Sequence, residues 1–426
     1  MKSFFRSIVP AAFALACVAA HAEPTGGCAY GVYRGAASEI AALMPPLKDA
    51  KPTTRYATVA GRRGVIDDAT SPVVCENGAL HARAGDSSPW SRIALRETPA
   101  TFVSHGLHLH GMLTELADQP AGAKPPLLVL VHGSEQTSPI GLWQQLLFTA
   151  QGISTFAFDK RGTGQSEGVY TQDFNLLADD AAAAAREAKR IAAGRFGRLG
   201  LYGGSQGGWV APRAARLAHA DFVEVGFGVV GTPLEQDQWQ VDDELRRKGF
   251  DPSILADVHA VTDATARVAA SNFDRHLDEI ETLRARFGQT PWFAKIEGQY
   301  SGLVLRGEIE RAKRESPAVP WPYPATAEMK QVRVPQLWVL ARDDSIAPSA
   351  RTVERLLELD RAGADIGVVV FPDTDHGIRH FTTAADGTRT SGDFAEGYLR
   401  MLADWAKGTW APPYGTADVK RAPKTR

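Results

Sequence analysis

The chain has 426 residues, of which 44% are hydrophobic and 23% charged, and a formal net charge of −2. A balance this close to neutral offers no basic field for a nucleic acid, so a nucleic-acid partner is not expected. The length suggests two to three domains.

The N-terminus, "MKSFFRSIVPAAFALACVAAHAEP", has Lys2 and Arg6 before an apolar stretch from about Ile8 to Ala20, and then Ala20-His21-Ala22. Residues 1–22 therefore read as an export signal cut after Ala22. The apolar run is short for a membrane span and carries Pro10. Lipoprotein anchoring at Cys17 is the weaker alternative, because Ala14 and Leu15 fit that pattern poorly. No second long apolar segment follows, so no membrane span is expected after cleavage, and the product is expected to be periplasmic or secreted. Two cysteines remain, Cys28 and Cys75, which can pair in an oxidising compartment.

Residues 23–99 are rich in Gly, Pro and Ser with short β-like runs such as "RYATVA", and predict a small strand-rich region. "TFVSHGLHLHGMLTEL" alternates around a glycine, as a hairpin does. Its His105, His108 and His110 lie close together, but no Cys or carboxylate completes a metal site, so no metal is expected. "LLVLVHG" (127–133) and "ISTFAFD" (153–159) read as buried parallel strands. "LADDAAAAAREAKRIAAG" (177–194) reads as a helix with basic residues late and a glycine stop. "RLGLYGG" (198–204) and "DFVEVGFGVVG" (221–231) add two further strands. Alternation of strands and helices predicts an α/β class with a mostly parallel sheet. From 235 to 330 the rhythm breaks into charged, helix-period sequence with Trp239, Trp292 and Trp321, which predicts a helical insertion between two strands of one sheet. "PQLWVLARDD" (335–344) and "ADIGVVVFPDTDHG" (364–377) resume the sheet, and 394–408 closes it with a helix. Residues 411–426, ending in "VKRAPKTR", read as a flexible tail.

The stretch "LYGGSQGGWV" contains Gly203-Gly204-Ser205-Gln206-Gly207, a match to G-x-S-x-G. Alone, that pattern is weak in a chain with 40 glycines. Its context is stronger, because a strand precedes it and helical sequence follows. A nucleophile on a sharp strand-to-helix turn needs that placement, and Gly203 and Gly207 leave room where side chains would clash. Pro212 should disturb the following helix. A serine hydroxyl needs a base, and the base needs a carboxylate to orient it, in the order Ser…Asp/Glu…His. "ARDDSIAP" offers Asp343 and Asp344 after one strand. "PDTDHGI" offers His376 after the next, with His380 as a rival further from the strand end and with Asp373 and Asp375 shaping the loop. Charge developing on an attacked carbonyl needs N–H donors. The Gln206 N–H follows the nucleophile directly, and the Ser134 N–H lies in the turn after "VLVHG".

Over about residues 100–410 these motifs resemble the α/β-hydrolase superfamily. "VLVHGS" is similar to its oxyanion strand and loop, "FDKRGTGQSEG" (158–168) to its D-x-R-G-x-G-x-S segment, and "GGSQGG" to its nucleophile elbow. "ARDDSIAP" resembles its G-x-x-D-x-x-V-P acid segment, which selects Asp344 over Asp343, although Ala341 and Ala347 replace the usual Gly and Val. "DTDHGI" resembles its histidine loop. The resemblance implies an α/β-hydrolase sheet with helices on both faces, in two core parts (100–234 and 331–410). It also implies that the 235–330 insertion is a cap or lid whose tryptophans line either an acyl pocket or the cap's own core. It further implies a serine hydrolase using Ser205, Asp344 and His376, with no cofactor, and structural roles for Asp159 and Arg161. The expected substrate is a small-molecule carboxylic ester. The alternative is a short peptide cleaved by an aminopeptidase, or an amide or thioester. An aminopeptidase would need acids in the cap, such as Glu235, Asp237, Asp242, Asp243 and Glu244, to hold a free amine. A non-catalytic binding protein on the same scaffold is the remote alternative.

Overall fold

A computed structural model describes residues 27–36, 39–46, 53–85 and 88–424. The expected export signal, its cleavage site after Ala22 and Cys17 lie outside these residues.

A nine-stranded sheet organises the chain. Its strands are β1 (Leu95–Ser104), β2 (Leu107–Leu116), β3 (Leu127–Val131), β4 (Ser154–Phe158), β5 (Leu199–Gly204), β6 (Phe222–Gly226), β7 (Gln336–Ala341), β8 (Ile366–Phe371) and β9 (Asp418–Arg421). Their order across the sheet is β9-β8-β7-β6-β5-β3-β4-β2-β1. β4, β3, β5, β6, β7 and β8 run parallel. The β1–β2 hairpin and β9 are antiparallel additions at the two edges. β3 and β5 to β8 are buried at every residue, which explains their continuous apolar character.

Helices cover both faces. α1 (Trp143–Ala150) lies on one face, and α2 (Phe174–Ile191) and α3 (Gly207–Ala218) lie on the other. α2 starts earlier than its sequence pattern suggested, because Asp173 caps it by accepting from the Asn175 and Leu176 amides. Its alanines, Ala181 to Ala185, let it pack closely on α3 and the sheet. α3 continues through Pro212.

Between β6 and β7 come α4 (Pro233–Arg247), α5 (Leu255–Ala270), α6 (Leu277–Phe287), α7 (Ser301–Leu305), α8 (Ile309–Glu315) and α9 (Ala325–Met329). α4 opens on a capping box between Thr232 and Glu235. These helices share an apolar core of their own, containing Val241, Val258, Phe273, Trp292, Tyr300 and Trp321. Trp292 and Trp321 are thus core residues of the helical body, whereas Trp239 is half-buried beneath the Arg355 guanidinium. After β7, α10 (Ser349–Arg361) returns to the α2–α3 face, and α11 (Tyr398–Lys407) packs on the α1 face.

The N-terminal region is strand-rich. Strands 31–34, 40–44, 55–58, 63–65 and 91–92 make a small antiparallel sheet. Its Val32, Ala42, Met44 and Ala57 join the core around α1. Cys28 and Cys75 are joined by a disulfide within this region.

The C-terminus departs from expectation. The sequence of residues 411–426 predicts a flexible tail, yet Asp418–Arg421 form β9 on the open edge of β8. Arg421 pairs with Asp360, and Asp418 with Arg342. A short basic run becomes a strand here because β8 leaves backbone donors and acceptors unpaired on that side.

Candidate functional site

Ser205 stands at the junction of β5 and α3 with φ +53°, a left-handed backbone that few non-glycine residues adopt. Its amide donates to the Gly226 carbonyl at 3.0 Å, which ties the turn to the end of β6. The turn is crowded by backbone on both flanks. A Cβ at Gly203 would come within 2.3 Å of the Gly207 carbonyl oxygen, and one at Gly207 within 2.5 Å of the Val131 oxygen. Only glycine lets α3 start this close to the end of β3.

Two loops meet Ser205 from neighbouring strands. His376 Nε2 lies 3.0 Å from Ser205 Oγ, and its Nδ1 lies 2.9 and 3.1 Å from the two oxygens of Asp344. Asp344 is 2% exposed, and its Oδ1 accepts from the amides of Ile346 and Ala347 at 3.0 and 2.7 Å. The His376 ring also stands edge-on to Phe227, with centroids 4.9 Å apart. Burial works to lower the imidazole pKa, but the charge and hydrogen bond of Asp344 prevail and hold it above its ordinary value. Asp343 takes no part in this chain. Its amide donates to the Thr374 carbonyl, and its own carbonyl accepts from Arg389. His380 Nδ1 contacts the Asp373 carbonyl oxygen at 3.0 Å and is exposed.

Asp375 locks the two loops together. Its carboxylate accepts from the His376 amide (2.7 Å), the Ser345 amide (2.7 Å) and hydroxyl (2.8 Å), and Arg389 Nη1 (2.9 Å). Burial pushes the Asp375 pKa up, but these donors outweigh it and hold the carboxyl below its ordinary range. Arg389 comes from a hairpin, Arg379–Thr383 with Arg389–Phe394, that follows the histidine loop.

The two amides expected to bind an oxyanion, Ser134 and Gln206, lie after β3 and at the start of α3. The Gln206 amide is placed where a helix N-terminus leaves N–H groups without intrahelical acceptors. Its side chain donates to Gln172 Oε1 at 3.0 Å, and Gln172 in turn donates to the Glu315 carbonyl of the helical body. The turn at Ser134 carries contacts that sequence reasoning missed. Lys160 Nζ donates to the Gly133 carbonyl at 2.5 Å, and the Tyr170 hydroxyl to the Ser134 carbonyl at 2.7 Å. The signal for both lies in the "DKRGTGQSEGVY" segment, beside Asp159 and Arg161. Asp159 accepts from the Gln165 amide, and Arg161 makes a bidentate pair with buried Asp180.

The five acids of α4 are all engaged. Glu235 pairs with Arg355 and Thr232, and Asp237 accepts from the Tyr300 and Ser301 amides. Asp242 pairs with His259, Asp243 with Arg246 and Arg247, and Glu244 accepts from the Gly298 amide. His105, His108 and His110 each face a different carboxylate, those of Asp179, Glu167 and Asp159. A cavity of about 280 Å³ opens between α4 and α10, lined in part by Trp239, Phe250 and Pro348, and none of Ser205, Asp344 or His376 lines it.

The family described as serine aminopeptidase, S33, matches the chain over residues 122–272, which includes β3 to β6 and the Ser205 turn. The chain has the α/β-hydrolase fold. No curated protein matches its sequence. Among solved structures it is similar to an esterase of Pyrococcus furiosus (14% identity, 67% of this chain and 84% of that one, TM-score 0.41). It is also similar to the Pyrococcus horikoshii acylaminoacyl peptidase (14% identity, 82% and 52%, TM-score 0.41) and to a bacterial brefeldin A esterase (16% identity, 67% and 70%, TM-score 0.42). Among the described residues no helix is long and apolar enough to cross a membrane.

Proposed function

We propose that this α/β-hydrolase cleaves carboxylic esters of small or medium acyl groups through an acyl-enzyme on Ser205. The observation that carries the proposal is the continuous hydrogen-bonded chain Asp344–His376–Ser205 at a strained turn. His376 Nε2 takes the Ser205 proton as Oγ attacks the ester carbonyl. The oxygen that gains charge is received by the Ser134 and Gln206 amides, at the positive end of α3. His376 then protonates the departing alcohol, and afterwards activates the water that releases the acid. No cofactor enters these steps. The helices between β6 and β7, about residues 235–330, act as a cap.

Ester specificity is favoured over recognition of a free amine by the state of the α4 carboxylates. Each already has a protein partner, so a substrate ammonium would have to compete with that partner. The Cys28–Cys75 disulfide supports an exported protein, because such bonds persist in oxidising compartments.

The test compares kcat/KM of residues 23–426 on short and long p-nitrophenyl esters and on aminoacyl arylamides, with Ser205→Ala as the blank. Turnover of short esters with arylamides untouched supports the proposal. Turnover of arylamides that requires a free amine replaces it with an aminopeptidase. Binding without turnover of either class replaces it with a non-catalytic binder.

A further inference from the structure

The amide expected to donate from Ser134 belongs to the same planar unit as the Gly133 carbonyl. Fixing the carbonyl oxygen therefore fixes the N–H, which points the opposite way. Lys160 Nζ donates to that oxygen at 2.5 Å, and Lys160 is only 3% exposed. On the other side, the Tyr170 hydroxyl donates to the Ser134 carbonyl, and Lys160 Nζ lies 5.3 Å from the Tyr170 ring centroid. The lysine is held in place by its neighbours along the chain. Asp159 organises the loop by accepting from the Gln165 amide, and Arg161 is anchored on Asp180. A buried lysine is costly to charge.

We propose that Lys160 is a positioning residue for catalysis, its ammonium orienting and polarising the Gly133–Ser134 peptide so that the Ser134 N–H is aimed at the developing oxyanion. This rests on the reading of Ser205 as nucleophile and Ser134 as oxyanion donor. A cation on the carbonyl oxygen draws electron density from the peptide and makes its N–H a stronger donor. The benefit is largest when the acceptor carries full charge, so it belongs to the transition state and raises kcat rather than lowering KM. The charged and titratable groups facing Lys160 are Glu135 and His132 from the turn after β3 and the Tyr170 phenol from its own segment. Burial lowers the His132 pKa and pushes the Tyr170 pKa up to about 12, so both are neutral near pH 8. Burial pushes the Lys160 amine down to about 8, against the opposing charge of Glu135. The ammonium is thus lost on the alkaline side of neutrality.

The test measures kcat and KM separately from pH 6 to 10 for the wild type, Lys160→Met and Lys160→Arg, with Ser205→Ala alongside. The expected wild-type kcat declines above about pH 8. Lys160→Met is expected to lose tenfold or more in kcat at pH 7, with KM within a factor of about two and no alkaline decline. Lys160→Arg is expected to regain part of the loss and to keep it at pH 10. A Lys160→Met enzyme with wild-type kcat, or one altered only in KM, overturns the role of Lys160 while leaving the triad standing. Residual turnover in Ser205→Ala overturns the reading of the site itself. If Lys160→Met does not fold, the wild-type profile decides, and a kcat that stays level from pH 7 to 10 overturns the proposal.

Discussion

Replacing Asp375 with alanine should loosen the site without altering any side chain of the Asp344–His376–Ser205 chain. In the wild type the Asp375 carboxylate satisfies two loop amides, the Ser345 hydroxyl and Arg389, all within 2.9 Å. Hydrogen bonds to a charged group contribute about 1.5–3 kcal/mol each, but they share one carboxylate and are not additive. The better guide is the roughly 3–5 kcal/mol lost when one partner of a buried ion pair is removed. Arg389 and Asp375 are both largely buried, so that range applies. In a chain of this size it corresponds to a fall in Tm of about 4–6 °C. The His376 main chain loses its anchor as well, and a misplacement of about 1 Å costs on the order of 10² in rate. Scanning calorimetry and ester kinetics on Asp375→Ala and Asp375→Asn read both effects. The pH dependence supplies a further check. The Asp375 pKa is depressed in the folded protein, so its contribution is present at neutral pH and is lost as pH falls below its unfolded value near 4. The difference in Tm between the wild type and Asp375→Asn should therefore shrink below about pH 4. An Asp375→Ala protein with wild-type Tm and wild-type kcat/KM would refute the reasoning.

Gly207→Ala should destabilise by about 2 kcal/mol or more and reduce activity. Its methyl would meet the Val131 carbonyl and push the Ser205 turn from the end of β3, which thermal melts and ester kinetics would register. The rising limb of the kcat/KM profile should have its midpoint above the ordinary imidazole value of about 6.5, because His376 must be neutral to act as base and its pKa is raised. Asp344→Asn should move that limb to lower pH and reduce kcat by about 10³–10⁴; a limb left in place would separate Asp344 from His376.

The parts of this molecule readable from its sequence are those in which the signal is local. β3 and β5 to β8 are continuous apolar runs because both faces are covered, and the Ser205 turn is a strand, the two residues Ser205 and Gln206, and a helix within ten positions. The separation of Asp344 from Asp343 needed a family pattern, since adjacent aspartates after a strand are indistinguishable by composition. Features that depend on a distant partner were not readable. β9 exists because β8 offers it an edge, and "VKRAPKTR" alone carries no sign of that. Lys160 looks like a surface residue until the β3 turn closes over it. The α4 acids carry no local sign of their partners, which lie as far away as Ser301 and Arg355. The two tryptophans that serve the core of the helical body depend in the same way on helices far apart in sequence.

The central claim is that Ser205 is a nucleophile activated by His376. The most direct test is to react the folded protein with a fluorophosphonate and locate the adduct by peptide mass spectrometry. One adduct per chain, on Ser205, and at least a thousandfold slower labelling in His376→Ala is the predicted result. Ester turnover without modification of Ser205, or labelling at an unchanged rate in His376→Ala, would contradict it.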